Sequence, residues 1–420
     1  MQHCESLHNV AVDQVRGDDA EDLGPHFSAL LAASVVSNLG DGLRLTALPL
    51  LAATLTSSPL LIAGIAVAQY LPWTTFAPFG GVIVDRSNRR RLIMITQTWR
   101  ATVMVLLFVL VATDVAQIWH LYVVAFVITA GEILVDPSVV ATVPTLVTPA
   151  ALDRANGRIS TVETVTNEFV GGPVGAAAFA FAPWLPFLLD GLSYLGSVAP
   201  FSRLPAQRSP RDRDLVPRSI RAEIGEGLRW IRGHPFLWPF TMALTVFYLG
   251  TAGAFVLLVV VVDMLDAPPI IFGLTLTAAA VGATVATMIA ARLAERFSRR
   301  IVITAAASLA GLSVLGVGAA TSNWHLIAAW TFNGASSGAM LAIGRSFIQR
   351  YTPNDRLGRA AIASRMITRS SFGVGALLIG AIADVISVRW AYVVAAAFHL
   401  VGAVLLWRAF RHEPTEPATA

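Results

Sequence analysis

Twelve long apolar stretches dominate this chain, at residues 27–52, 59–84, 92–113, 118–146, 157–182, 184–203, 235–263, 269–291, 301–320, 323–349, 358–384 and 389–409. A helix needs about 20 apolar residues to cross the hydrocarbon core of a bilayer, and these stretches are of that length. The expected fold class is therefore an all-α integral membrane protein with 12 transmembrane helices. Composition points the same way: 55% of the residues are hydrophobic and 13% are charged, where soluble chains carry about a quarter charged.

The scarce charge is unevenly placed. Connections after the second, fourth, sixth, eighth and tenth stretches are rich in arginine, and those after the odd-numbered stretches are nearly free of it. Twenty-five of the 30 basic residues fall on the first side, against Arg389 alone in the opposite loops. Positive loops stay in the cytoplasm, so the sequence predicts a multi-pass protein of the plasma membrane with both termini cytoplasmic. All 30 basic residues are arginine. Without lysine, neither a Walker A phosphate loop nor Schiff-base catalysis can be built.

The net charge of +4 could suggest a nucleic-acid partner. The arginines lie beside apolar spans instead of in patches interleaved with aromatics, so the bilayer is the expected partner and nucleic acid is not. Cys4 is the only cysteine, which excludes an internal disulfide. Residues 1–26 are acidic, the wrong charge for a secretory signal, and read as a disordered cytoplasmic tail; residues 411–420 read as a second.

The connection at 204–234 splits the stretches six and six. It holds Pro205, Pro210 and Pro217, followed by Ile220, Ile224, Leu228 and Ile231 at helical spacing. That pattern predicts a linker and then an amphipathic helix along the membrane surface. A repeat supports two equivalent halves, residues 27–203 and 235–410. GGVIVDRSNRRRLI from Gly80 and AARLAERFSRRIVI from Ala290 occupy the same loop of each half, 210 residues apart. Arg86, Arg89 and Arg90 recur as Arg296, Arg299 and Arg300, and Glu295 stands where Asp85 stood.

With these residues the chain resembles the major facilitator superfamily, whose second loop reads roughly Gly-x-Leu-Ala-Asp-Arg-x-Gly-Arg-Arg. Gly81, Ile83, Val84, Asp85, Arg86, Arg89 and Arg90 fill that pattern, with Asn88 where glycine is usual; asparagine tolerates a left-handed turn. SNLGDGLRLTALP from Ser37, EILVDPSVVATVPTLV from Glu132, LDRANGR from Leu152 and EIGEGLRWIRGHP from Glu223 are similar to the bacterial branch that includes the enterobactin exporter and drug-efflux proteins.

The resemblance implies two six-helix bundles around a cavity that opens alternately to each side. Stretches 1, 4, 7 and 10 would line the cavity, 2, 5, 8 and 11 would join the halves, and 3, 6, 9 and 12 would face lipid. It also makes Gly81, Asp85, Arg86, Arg89 and Arg90, with Glu295, Arg296, Arg299 and Arg300, a cytoplasmic gate latch. EFVGGPVGAAAF from Glu168 resembles the glycine- and proline-rich interface motif of proton antiporters, through Gly171, Gly172, Pro173 and Gly175. Gly282, Gly373, Gly375 and Gly380 are candidate partners for it.

An ionisable group at mid-bilayer costs about 3 kcal/mol, so each needs a reason. The first half holds Asp41, Arg44, Glu132, Asp136, Glu168 and Asp190 at depth, and the second half has no acid at comparable depth. Asp41 and Arg44 share one helix face, as do Glu132 and Asp136. Asp41, Arg44, Glu132, Asp136 and Glu168 are therefore the proton-coupling candidates, with a buried salt bridge as the alternative for Asp41 and Arg44. Asp190 reads as a packing residue.

Tyr248, Phe255, Trp330, Asn333 and Met340 are candidates for a greasy substrate wall. His399 reads as a passive core residue. No nucleophile–base pair or metal cluster is apparent, so neither enzyme chemistry nor a cofactor is expected. The sequence reading is a monomeric, secondary-active exporter trading protons for a small lipophilic or amphiphilic compound. Proton-driven uptake of a nutrient, or a non-transporting receptor or scaffold, are the alternatives.

The orientation can be tested with single cysteines on a Cys4→Ser background. An impermeant maleimide added to intact cells should label Ser57→Cys and Ser322→Cys but not Ser87→Cys or Ser298→Cys. The reverse pattern would overturn the predicted topology.

Overall fold

The computed structural model describes residues 23–205, 220–353 and 357–413. The expected tails at 1–22 and 414–420, the linker stretch 206–219 and the Asp85 side chain lie outside the described residues. Every regular element among the described residues is helical. In chain order these are α1 (Gly24–Leu55), α2 (Pro59–Thr75), α3 (Ala77–Arg86), α4 (Arg89–Ala112), α5 (Ile118–Thr142), α6 (Leu152–Thr164), α7 (Gly172–Phe181) and α8 (Leu185–Ser202). Then follow α9 (Ile220–Gly233), α10 (Leu237–Val256), α11 (Leu258–Met264), α12 (Pro269–Phe297), α13 (Arg299–Gly318), α14 (Asn323–Tyr351), α15 (Leu357–Val385) and α16 (Val388–Ala409).

Eight of the segments, by length and composition, could cross a membrane. The other four predicted stretches also fold as helix: α1, the α2–α3 run, the α6–α7 run and α8. Large apolar side chains cover much of the outer surface; Leu106 is 59% exposed and Leu312 60%. Water would disfavour such a surface, and a bilayer would cover it. Helix is the structure that satisfies every backbone group internally in that solvent.

Local chemistry sets the helix ends and breaks. Ser58, Asn88, Ser298, Ser322 and Ser387 each accept a backbone N–H with the side chain and start α2, α4, α13, α14 and α16. Asn88 and Ser298 do so at the 210-residue offset of the sequence repeat. The expected left-handed turn at Asn88 is not present. Its φ is −67°, and its side chain serves as a cap instead, while Ser298 adopts the positive φ of 72°. The stretch 59–84 breaks at Phe76, between Pro72 and Pro78, which lack N–H donors. The stretch 157–182 changes to π-helix over Val165–Gly171, just before Pro173.

Packing follows one scheme twice. In the first half α1 lies on α8 and α7, α4 on α8 and α5, and α2 on α5. In the second half α10 lies on α16 and α15, α13 on α16 and α14, and α12 on α14. The main contacts between the halves are α2 with α15 and α7 with α12. At the end away from the arginine-rich loops, the Ser58 hydroxyl donates to Asp384 at 2.6 Å. Within the α2–α15 seam, Thr74 and Ser370 share a hydrogen bond of 2.9 Å.

The interface glycines divide their work. Gly171 meets Gly42 of α1 backbone to backbone, Gly175 meets Leu43, and Gly172 faces Gly273 of α12. The expected partner Gly282 packs instead on Thr331 of α14 within its own half, and Gly375 packs on Leu249 of α10. Gly380 does reach across, to Ala63 and Leu60 of α2, and Gly373 has only a loose approach to Val67.

The amphipathic stretch forms α9, which packs on α15 with Ile231 buried. Just beyond it the Nδ1 atom of His234 accepts the N–H groups of Phe236 and Leu237 at 3.2 and 3.0 Å, at the start of α10. Burial holds this imidazole below its ordinary pKa, so it stays a neutral acceptor.

A Cβ at position 42 would fall 2.6 Å from the Asn167 carbonyl oxygen and 2.9 Å from the Gly171 Cα. Backbone cannot yield as a side chain can. Gly42→Val should therefore lower the unfolding temperature in detergent by several degrees. Gly81→Ala, with nothing within 4 Å of the added atom, should leave it unchanged. Equal stability of the two variants would contradict the close approach of α1 to the π segment.

Candidate functional site

Two of the candidate acids, Asp41 and Glu132, converge with Asp190 and two arginines on four helices of the first half. From α1, Arg44 Nη2 donates to Asp41 at 3.0 Å and to Glu132 of α5 at 2.7 Å. Its Nε lies 3.5 Å from the Asp190 carboxylate of α8, an ion pair without a hydrogen bond. From α4, Arg100 Nη2 donates to Asp41 at 2.8 Å and to the Tyr194 hydroxyl at 2.7 Å. Tyr194 in turn donates to Asp41 at 2.6 Å.

A second layer fixes Arg100 in place. Its Nη1 donates to Gln97 at 2.9 Å, and the Gln97 amide donates to Ser37 of α1 and Ser197 of α8 at 2.8 and 3.0 Å. The guanidinium also stacks 4.1 Å from the Tyr194 ring centre. Gly131 of α5 makes room for the arginine stem, because a Cβ there would fall 2.8 Å from the Arg100 Cδ.

Asp190 is fully buried and Arg100 is 1% exposed, whereas the side chains of Asp41 and Glu132 retain 16% and 26% exposure. The cluster therefore has a dry side and a side that solvent reaches. With all groups ionised it holds three carboxylates against two guanidiniums, one negative charge in excess. A single proton makes it neutral, which is the chemistry a buried cluster of this composition can do.

The structure thus brings Asp41, Arg44 and Glu132 together. Asp190, which reads from sequence as a packing residue, is the third acid, and Arg100 is absent from the residues that the sequence alone points to. An arginine inside an apolar stretch is as costly as an acid there. The signal for Arg100 is present in TQTWRATV, a single arginine inside an otherwise apolar stretch. Asp136 is exposed one turn beyond Glu132 and makes no ion pair with the described residues. Glu168 lies apart, on the π segment.

A cavity of about 370 Å³ separates the halves, lined by Thr46, Tyr70, Glu168, Phe255, Trp330 and Asn333 among others. Of the predicted wall residues, Phe255, Trp330 and Asn333 line it. Tyr248 stands behind the wall, stacked at 4.8 Å on the lining residue Phe372. Met340 does not reach the cavity; it is 5% exposed and packs in the core of the second half. His399 is buried, with Nδ1 against the Ala395 carbonyl at 2.7 Å and Nε2 against the Thr251 hydroxyl at 3.2 Å.

Of the latch residues, Arg89, Arg90 and Arg300 make contacts within their own halves. Arg89 donates to the Ala141 carbonyl at 2.8 Å, Arg90 donates to the Leu204 carbonyl at 3.2 Å, and Arg300 stacks 3.6 Å from the Trp407 ring centre. Arg86 is exposed, and Arg296 sits 5.4 Å from the Phe297 ring. Glu295, Arg299 and Arg300 line a separate cleft of about 480 Å³ at the arginine-rich end. Among the described residues no group of three His, Cys, Asp or Glu side chains could hold a metal ion.

Comparison with known proteins sets this architecture in context. The chain is 24% identical over 379 residues to an uncharacterized MFS-type transporter of Bacillus subtilis (strain 168), covering 87% of this chain and 88% of the other. It is 21% identical over 372 residues to macrolide efflux protein A of Streptococcus pyogenes, covering 86% and 90%. Among solved structures, the nucleoside transporter NupG superposes with a TM-score of 0.75 at 12% identity, over 93% of this chain and 100% of that one. An inward-facing bacterial homolog of the human lysosomal transporter Spinster gives 0.73 at 12% identity, over 93% and 98%. These structural likenesses establish the fold alone. The model of the transmembrane secretion effector family matches residues 24–418, and the chain belongs to that family of major facilitator superfamily transporters.

Proposed function

We propose that this transporter is a proton-coupled exporter of a small lipophilic or amphiphilic organic compound, such as a drug, siderophore or secondary metabolite. It works by alternating access between two six-helix bundles, residues 27–203 and 235–410, in the plasma membrane, as a monomer with both termini cytoplasmic. The observation that carries this reading is the excess carboxylate in the Asp41–Arg44–Arg100–Glu132–Asp190 cluster. Closed off from water, the cluster favours the neutral state with one proton bound. Opened to water through Asp41 and Glu132, it tolerates the extra charge and releases the proton. Entry of that proton down its gradient offsets expulsion of the solute.

The aromatic and small polar cavity wall supports a lipophilic solute. Similarity to a macrolide efflux protein supports export over import. In this reading the loops at Asp85 and Glu295 close the cytoplasmic end when the cavity faces out. The in-half contacts of Arg89, Arg90 and Arg300 are those of the open latch.

Cells carrying the gene should accumulate less of a radiolabelled macrolide, or of another lipophilic compound from a panel, than cells without it. An uncoupler should abolish the difference. Higher accumulation would mean uptake, and no difference across the panel would count against transport of this class.

Asp41→Asn, Glu132→Gln and Asp190→Asn should each reduce uncoupler-sensitive export, and full export by all three would remove the cluster from coupling. Arg100→Gln leaves buried carboxylates unpaired and should destabilise the folded chain by about 3–5 kcal/mol, read as thermal unfolding in detergent. Full stability of that variant would remove Arg100 from the cluster's support. Asp85→Asn should lower transport while leaving membrane insertion intact.

A further inference from the structure

Arg44 and Arg100 each have carboxylate partners, but Arg369 of α15 has none among the described residues. It lies inside the candidate span Ala363–Val385, its side chain is exposed, and no carboxylate of the described residues lies within 4.0 Å of it. Its guanidinium is instead framed by three aromatic rings, with centres 5.1 Å away at Trp73, 5.9 Å at Tyr70 and 6.0 Å at Phe372. Tyr70 and Phe372 both line the cavity, and their rings are 4.6 Å apart across the seam between the halves.

A cation at this depth with no counter-charge among the described residues needs a reason, and ring faces only partly replace a carboxylate. The rings frame the guanidinium at the cavity edge, and its N–H fork has no hydrogen-bond acceptor among the described residues. Such a fork matches the two oxygens of a carboxylate, phosphate or sulfonate. Glu168, the acid of the same cavity, comes from the π segment of the other half and forms no ion pair with Arg369.

We propose that Arg369 is the docking point for an anionic group on the transported compound, whose apolar body lies along Tyr70, Phe372 and Trp330. This deepens, and rests on, the reading of the cavity as the solute route. It narrows the solute to amphiphiles that carry an acidic head, zwitterions included, with Glu168 available to a positive group at the other end. Arg369 then distinguishes an acidic solute from a neutral one of the same shape.

The test is equilibrium binding to the full chain in lipid nanodiscs, with empty discs subtracted. Two fluorescent probes share one ring body: 8-anilinonaphthalene-1-sulfonate and the uncharged N-phenyl-1-naphthylamine. The wild type should bind both saturably. Arg369→Gln should weaken the sulfonate by about tenfold or more, as expected for loss of one partner of a close charge pair, and leave the amine unchanged. Arg369→Lys, which keeps the charge but not the fork, should retain only part of the sulfonate affinity.

An equal change for both probes would make Arg369 a structural residue and overturn the proposal. So would no change for either, or a wild type that does not bind the sulfonate saturably. No proton gradient is present in this measurement. Failure here leaves the accumulation test of export standing, and failure of that test leaves this one readable.

Discussion

A charge removed from water must be met by an opposite charge or by a proton, and this constraint organises the first half of the molecule. Arg44 and Arg100, from helices far apart in sequence, come together because three acids draw them there, and the acids are tolerable inside the bundle because the arginines are present. Hydrogen bonds among Gln97, Ser37, Ser197 and Tyr194 spread the cost over α1, α4 and α8. Apolar packing alone would let those helices slide and rotate against one another. The polar cluster gives them one register, as buried ionic groups do in other systems.

The second half has no comparable cluster among its described residues, and its helices are held by other means. Glycine lets α14 approach α12, and α15 approach α10, at backbone distance. The Ser336 hydroxyl donates to the Ala306 carbonyl between α14 and α13. An aromatic core of Phe236, Phe240, Phe347 and Phe410 closes the arginine-rich end. The two halves thus share a pattern of helix contacts but differ in chemistry. One is electrically sensitive and the other is a greasy wall, a division of labour that fits the proposed export of an amphiphile.

Much of this was legible in the residues. Apolar length gave the helical stretches, and side-chain caps at Ser58, Asn88, Ser322 and Ser387 end the connections where composition changes. The i,i+3 spacing of Asp41 and Arg44 put them on one face that Glu132 could meet. What escaped notice did so for physical reasons. Arg100 sits in a stretch otherwise apolar enough to pass as a plain span. Asp190 reads as a packing residue because the resemblance puts α8 against lipid, yet α8 turns one face inward against α1 and α4. Partners such as Gly172 and Gly273 depend on how helices cross, and no local pattern in a single sequence specifies a crossing. Met340 has the right chemistry for a cavity wall but points into the core.

The π-helical turn at Val165–Gly171 has a consequence for the run α6–α7. One extra residue accommodated in a helix turns everything beyond it by about 100° relative to an uninterrupted α-helix. Without that rotation the side chains before and after residue 165 would continue a single stripe. With it, the upstream part keeps its own facing while Gly171 and Gly175 swing onto α1, Gly172 onto α12 and Glu168 into the hollow. The altered turn thus lets one helical run present close-packing glycines to two neighbours and an acid to the cavity.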